Sequence, residues 1–445
     1  MRNTPRDKYL EGERGRATRL AWTSALLFAV LASALVLTAA KIRQHTPGPD
    51  LLKAADEVLR KVVELRGLEQ KGKVAKGIKS REEIARYLEH RVKDEYDAGE
   101  LEREGKLLKK LGLIPGAMDY RDFTLKLLTE QVGGYYDPEK KTFFIAGWLP
   151  LEQQKPVMAH ELAHALQDQH FDVRRFLKRD RNLQNDDAVL AQQALLEGDG
   201  MAVMLDFVLE PLGRNFTQLP GLVGFMRSQL SPMDSQFALF NQAPVYLRES
   251  LLFPYIYGVA FLQKVRERGS WAEVDRVYSD LPASTEQIIH PEKYLERRDR
   301  PQAVELDDPS PKLGPGWRSE YRNVLGEFAL YLLLKLELPD DRALAASSGW
   351  GGDRVLLAEK QGSNASAVFA ETVWDSSDDA SEFYEALASW FQARFPEAKR
   401  EGSRESGLAW VDGGDYHVSA LAGTRVRFAL GLPTERRGSL KGYWP

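Results

Sequence analysis

Apolar residues along this chain follow three rhythms, and each predicts a different kind of element. From Leu20 to Ala40 no charged residue interrupts the run of 21 positions. That is long enough to cross a bilayer, which takes about 20 residues. From Leu51 to Glu130 apolar positions recur at helical spacing among many charges, predicting a helical region with solvated faces. Within it Ser80-Arg81-Glu82-Glu83 reads as a capping box, and Gly112 and Pro115-Gly116 act as punctuation. Gly133 to Ala146 places aromatic and β-branched residues on both sides of Asp137-Pro138, which predicts a hairpin. Two largely apolar helices follow. Pro156–His170 begins with Pro156 in a first turn, and a second helix through Ala191–Val203 starts near Asp186–Asp187, whose carboxylates suit a helix N-terminus.

Further on, Leu251–Leu262 is apolar but too short for a membrane and predicts a buried helix. Residues 300–317 are rich in Pro, Asp and Gly and form a boundary. Glu320–Leu338 reads as an amphipathic helix interrupted by Lys335. After Trp350 alternation takes over, with strands expected at Asp353–Glu359, Ser366–Val373, Leu408–Val411, Tyr416–Leu421 and Thr424–Leu430, and a helix at Asp378–Arg394 behind an acidic start.

The pattern predicts an α+β protein: one N-terminal transmembrane helix, a mostly helical core with a small sheet, and a small C-terminal α+β domain with an antiparallel sheet. The expected divisions are a cytoplasmic basic tail 1–19, an anchor 20–40, a linker 41–50, a helical subdomain 51–130, a central core 131–300, a boundary and helix 301–349, and the α+β domain 350–445. At 445 residues the chain is long enough for several such units.

Charge orients the anchor. Arg2, Arg6, Lys8, Arg14, Arg16 and Arg19 precede the apolar run, against Lys41 and Arg43 just after it. The N-terminus is then expected in the cytoplasm and the bulk of the chain outside, on a bacterial-type cell envelope. A cleaved signal peptide ending at Thr38-Ala39-Ala40 is the competing reading, but the run exceeds the usual 7–15 residues. Net charge of −4 with interspersed signs points away from a nucleic-acid partner. The absence of cysteine excludes disulfides and thiolate metal sites.

The chemistry concentrates in His160-Glu161-Leu162-Ala163-His164. Residues four apart share a helix face, so the two imidazoles can hold one Zn²⁺, with Glu161 beside its open position. Three of the chain's seven histidines fall within positions 160–170. A catalytic zinc takes three protein ligands. Glu197, a carboxylate in a buried helix, is the expected third, since burying it unpaired is costly. Gly198 and Gly200 beside it mark close approach of another element. His170 has the spacing of a third histidine ligand, but Gln167 stands where the helix would need a glycine to turn back.

His160-Glu161-x-x-His164 with a glutamate on the next helix resembles the gluzincin zinc metallopeptidases. The longer string from His160 to Asp172 is similar to a group of bacterial and archaeal metallopeptidases. The likeness is specific over about residues 120–300. It implies that His160, His164 and Glu197 hold zinc, that Glu161 is the general base, and that the substrate is a peptide or protein. It implies an oxyanion-stabilising group downstream, for which Tyr255, Tyr257 and His290 are candidates. It also implies an edge strand that pairs with extended substrate, for which Thr142–Ala146 is the candidate. Asp168 is a supporting or capping residue, and His417 is structural. The expected function is a membrane-anchored zinc metallopeptidase. The alternative is an inactive, zinc-stabilised surface binding protein, which would have no use for Glu161.

Overall fold

The computed structural model describes residues 48–95, 99–131, 133–148, 150–173, 184–228 and 237–440. The expected tail 1–19, the anchor 20–40 and the linker up to residue 47 lie outside the described residues. Among the described residues no helix is long and apolar enough to cross a membrane.

In chain order the elements are α1 (Gly48–Arg66), β1 (Ala75–Lys79), α2 (Arg81–Glu95), α3 (Glu100–Leu111), α4 (Tyr120–Gln131), β2 (Gly134–Asp137), β3 (Thr142–Ala146), α5 (Leu151–Phe171) and α6 (Asp186–Leu209). Then follow α7 (Leu222–Ser228), α8 (Ala238–Gln242), α9 (Val245–Glu267), α10 (Trp271–Val277), α11 (Thr285–Ile289) and α12 (Pro291–Leu295). The C-terminal part holds β4 (Trp317–Asn323), α13 (Gly326–Lys335), α14 (Asp340–Ser347), β5 (Trp350–Lys360), β6 (Ser366–Trp374), α15 (Ser377–Arg394), β7 (Lys399–Ser403), β8 (Gly407–Asp412), β9 (Asp415–Ala422) and β10 (Arg425–Pro433). The α+β class expected from the sequence is what the chain adopts.

Helices α5, α6 and α9 form the centre. Helices α6 and α9 cross with their backbones in contact. A Cβ on Gly198 would stand 2.3 Å from the Gly258 carbonyl carbon, and one on Gly258 would stand 2.0 Å from the Ala194 carbonyl oxygen. Only glycine fits either position, which offsets the roughly 1 kcal/mol of helix propensity each one costs. Helix α1 is tied to α6 by a buried ion pair, Arg66 Nε to Asp199 Oδ1 at 2.7 Å, and Tyr278 donates to the other Asp199 oxygen at 2.9 Å.

The expected hairpin forms: β2 and β3 pair antiparallel, with Tyr136 opposite Phe143. Strand β1 then adds parallel on the far side of β3, giving the order β1-β3-β2. Thr142–Ala146 is therefore the central strand and not the expected edge. The edge beside the histidine helix is β2, and its open side lies against α5. Two further expectations are corrected. Helix α5 starts at Leu151, so Pro156 is inside it and not in its first turn. Glu320–Leu338 is not one helix. Its first residues belong to β4, where Trp317, Tyr321 and Asn323 are buried and alternate with more exposed positions, and α13 begins only at Gly326.

The C-terminal sheet has seven antiparallel strands in the order β4-β5-β6-β10-β9-β8-β7. Helix α15 packs on one face, where Phe391 stacks on Trp410 at 4.5 Å and Phe383 on Trp374 at 4.5 Å. Leu356, Phe369, Ala429 and Leu432 form a separate small core on the other face, with Leu306 and Leu313. The α15 face is continuous with the main core that runs through α1, α5, α6 and α9. The junction is polar: Asp187 at the start of α6 accepts from Thr285, and Asp353 on β5 accepts the Leu325 and Gly326 amides.

Candidate metal centre

Helix α5 carries His160 and His164 one turn apart, and α6 brings Glu197 against both. The His160 and His164 Nε2 atoms lie 2.9 Å apart. Glu197 Oε2 is 3.1 Å from the first and 3.3 Å from the second. The rings stand at 90° to each other. Ligands around a tetrahedral zinc with bonds of about 2.0–2.1 Å are about 3.3 Å apart. All three side chains are buried. Gly200, one turn beyond Glu197, leaves room for the His160 ring: a Cβ there would stand 2.7 Å from ring carbon Cε1.

The hydrogen bonds show how the group is oriented. Gln167 Nε2 donates to the Leu196 carbonyl at 3.2 Å, which orients its amide, and Gln167 Oε1 lies 2.7 Å from His164 Nδ1. An amide oxygen only accepts, so Nδ1 carries a proton and Nε2 is the ring atom that faces His160 and Glu197. Glu197 Oε1 is buried with no hydrogen-bond partner. Two imidazole Nε2 atoms and a carboxylate oxygen thus converge within 3.3 Å of one another. This donor set fits a divalent cation that prefers nitrogen and oxygen ligands.

The titration behaviour agrees. Burial pulls His164 down, but the Glu197 carboxylate outweighs it and lifts the ring to about 9. Burial and the neighbouring His164 lower His160 to about 4. Burial pushes Glu197 up, yet the histidines prevail and hold it at about 2.

Glu161 lies beside this group, wholly buried. Its Oε2 accepts the Tyr136 amide at 2.9 Å, and its Oε1 has no hydrogen-bond partner. Burial raises its carboxyl to about 8. Tyr255 on α9 is buried with its ring 6.1 Å from that of His160. Tyr257 instead packs on Phe253 and Phe328. His290 bonds Glu327 on α13 at 2.8 Å, so its hydrogen bond goes to the junction with the C-terminal sheet. His170 at the end of α5 bonds the Glu69 carbonyl at 2.7 Å and leaves the third ligand position to Glu197. His417 stacks on Phe395 within the C-terminal core. A second carboxylate cluster, Glu286, Asp299 and Asp375, is already filled by the Lys293 ammonium, which pairs with all three.

Two contributors escaped sequence reasoning. Gln167 had a signal, since three residues after His164 is the same helix face. The Tyr136 amide had none, because any residue carries one.

A family model described as a domain of unknown function, DUF8575, matches residues 316–439, the stretch from just ahead of β4 to a short helical segment after the last strand of the C-terminal sheet. No curated protein matches the chain. Among solved structures, one from Chloroflexus aurantiacus described as a "putative hydrolase with a novel fold" aligns over 63% of this chain and 99% of its own, at 18% identity and a TM-score of 0.31.

Proposed function

We propose that this chain is a zinc-dependent metallopeptidase, held to the membrane by the apolar stretch 20–40 with its catalytic part outside the cytoplasm. The observation that carries the reading is the convergence of His160, His164 and Glu197 beside a buried carboxylate, Glu161, that stands outside this group and whose Oε1 has no hydrogen-bond partner. A structural zinc site closes with four protein ligands and has no need of such a group.

His160, His164 and Glu197 would hold the ion. Zinc in such a site supplies Lewis acidity, which makes water a better nucleophile at neutral pH and polarises a carbonyl. The chain's own residues do the rest. Glu161, with Oε2 held, takes a proton from water on Oε1 and passes it to the departing amine. Tyr255 is the better placed of the candidates to hold negative charge as it grows on the carbonyl oxygen, because its ring is beside His160 while His290 is bonded to Glu327. The apolar packing around α5 and α6 keeps bulk water away and strengthens these interactions.

The test is hydrolysis of a casein or mixed-peptide substrate by the zinc-loaded chain and its Glu161→Gln variant. The reading requires zinc retained in both and hydrolysis lost in the variant. Equal hydrolysis by both would refute it. Zinc without hydrolysis in either would favour a binding protein with a zinc-stabilised core.

A further inference from the structure

Edge strand β2 lies along the face of α5 that carries Glu161, and one of its residues reaches that helix twice. The Tyr136 amide donates to Glu161 Oε2 at 2.9 Å, and the Tyr136 hydroxyl donates to Asp168 Oδ2 at 3.0 Å. Glu161 and Asp168 are seven positions apart, two turns along the same face. The strand is held at both ends. At one end, a Cβ on Gly134 would already be 3.2 Å from the Phe144 carbonyl and 3.8 Å from Val157 on α5. At the other, Asp137 accepts the Glu139 and Lys140 amides and pairs with the Lys140 ammonium, closing the turn.

A carboxylate has two equivalent oxygens and turns about its last bond. Fixing one oxygen decides which of the two can take a proton. In this chain Oε2 is the fixed one, and Oε1 is the oxygen with no partner.

We propose that Tyr136 is the positioning residue of the Glu161 base, its amide aimed at Oε2 because its hydroxyl is anchored on Asp168. The inference rests on the reading of Glu161 as a general base. Tyr136 does not touch the reacting atoms, and neither it nor Asp168 holds the metal.

The experiment uses the full zinc-loaded chain and three variants, Tyr136→Phe, Asp168→Ala and the double. Three quantities are read: zinc per chain, hydrogen exchange of the Tyr136 amide, and kcat and KM on a quenched fluorescent peptide. Zinc content stays at the parent level in all three. Each single variant speeds Tyr136 exchange about tenfold and lowers kcat about tenfold with KM unchanged, as supporting residues around metal sites commonly do. The double variant is no worse than either single, because both remove the same bond. Unchanged exchange in the single variants overturns the anchor, whatever the turnover. Faster exchange with parental kcat overturns the positioning role and leaves Tyr136 a packing residue. If the parent hydrolyses no peptide at all, the peptidase reading fails on that result alone, while the exchange rates still decide the anchor.

Discussion

Gln167 bridges the two ligand helices: its amide oxygen meets His164 Nδ1 at 2.7 Å and its amide nitrogen donates to the carbonyl of Leu196, the residue before Glu197. One side chain on α5 thus sets the tautomer of one ligand and the backbone position of another.

Gln167→Ala removes both bonds without touching a ligand. Metal affinity should fall 10- to 100-fold, the usual range for such supporting partners. Competition with a chromophoric chelator checks it. Parental affinity in a folded variant would show that ring orientation is set by packing alone.

The two glycines of α6 separate stability from metal binding. Gly198→Ala forces a methyl into the Gly258 backbone, with no flexible side chain to yield, and should destabilise by about 1–3 kcal/mol or more. Gly200→Ala presses on the His160 ring, which can move, so its main effect should be on metal affinity. Thermal melts and metal titrations on the two variants should show this opposite pattern. Equal loss of stability in both would contradict it.

Much of the site was legible in the sequence because it depends on side-chain identity at helical spacing. His160 and His164 share a face, Glu197 is a carboxylate in an apolar helix, and Gly198 and Gly200 marked close approach, which the structure shows as backbone contact and as room for a ring. What was not legible depends on backbone groups and on context. The Tyr136 amide and the Leu196 carbonyl have no sequence signature. The start of α5 at Leu151 lies behind Pro150, which offers no side-chain cap, so Pro156 looked like the first turn. Strand β4 was read as helix because its polar residues run directly into the apolar stretch of α13. Its alternation puts Trp317, Tyr321 and Asn323 on the buried face and leaves Arg318 and Glu320 exposed. The order β1-β3-β2 needed the parallel pairing of a strand more than sixty residues upstream, which no local pattern announces.

Asp187 gives the fold a pH dependence. Burial, reinforced by Asp353 and Glu327, raises its carboxyl to about 8, against the pull of the Thr285 hydrogen bonds. The folded state therefore binds this proton more tightly than the unfolded one. Its contribution to stability is complete below the ordinary carboxylate range and declines as pH rises toward 8, by at most about 1.4 kcal/mol per pH unit for one proton. Asp187→Asn keeps an oxygen for Thr285 and removes the titration. Between pH 5 and 8 its denaturation midpoint should fall less than the parent's. Parallel curves would contradict this.

His417 acts from the acid side. Burial, with Lys110 nearby, lowers its ring to about 4. The unfolded state takes up a proton first, so stability present above about 6.5 is lost as pH falls toward 4. Its Nδ1 accepts the Gly431 amide, so His417→Gln keeps an acceptor without the charge. That variant should lose less stability between pH 6.5 and 4, as read by tryptophan fluorescence of the Trp390–Trp410 region. An acid transition identical to the parent's would remove His417 from the account.

The most direct test of the metal centre is the zinc content of the full chain, purified in detergent with zinc present, beside Glu197→Ala and His170→Ala. The arrangement of His160, His164 and Glu197 predicts close to one zinc per chain in the parent and in His170→Ala, with most of it lost in Glu197→Ala. No zinc in the parent, or zinc lost with His170 and kept without Glu197, would contradict it.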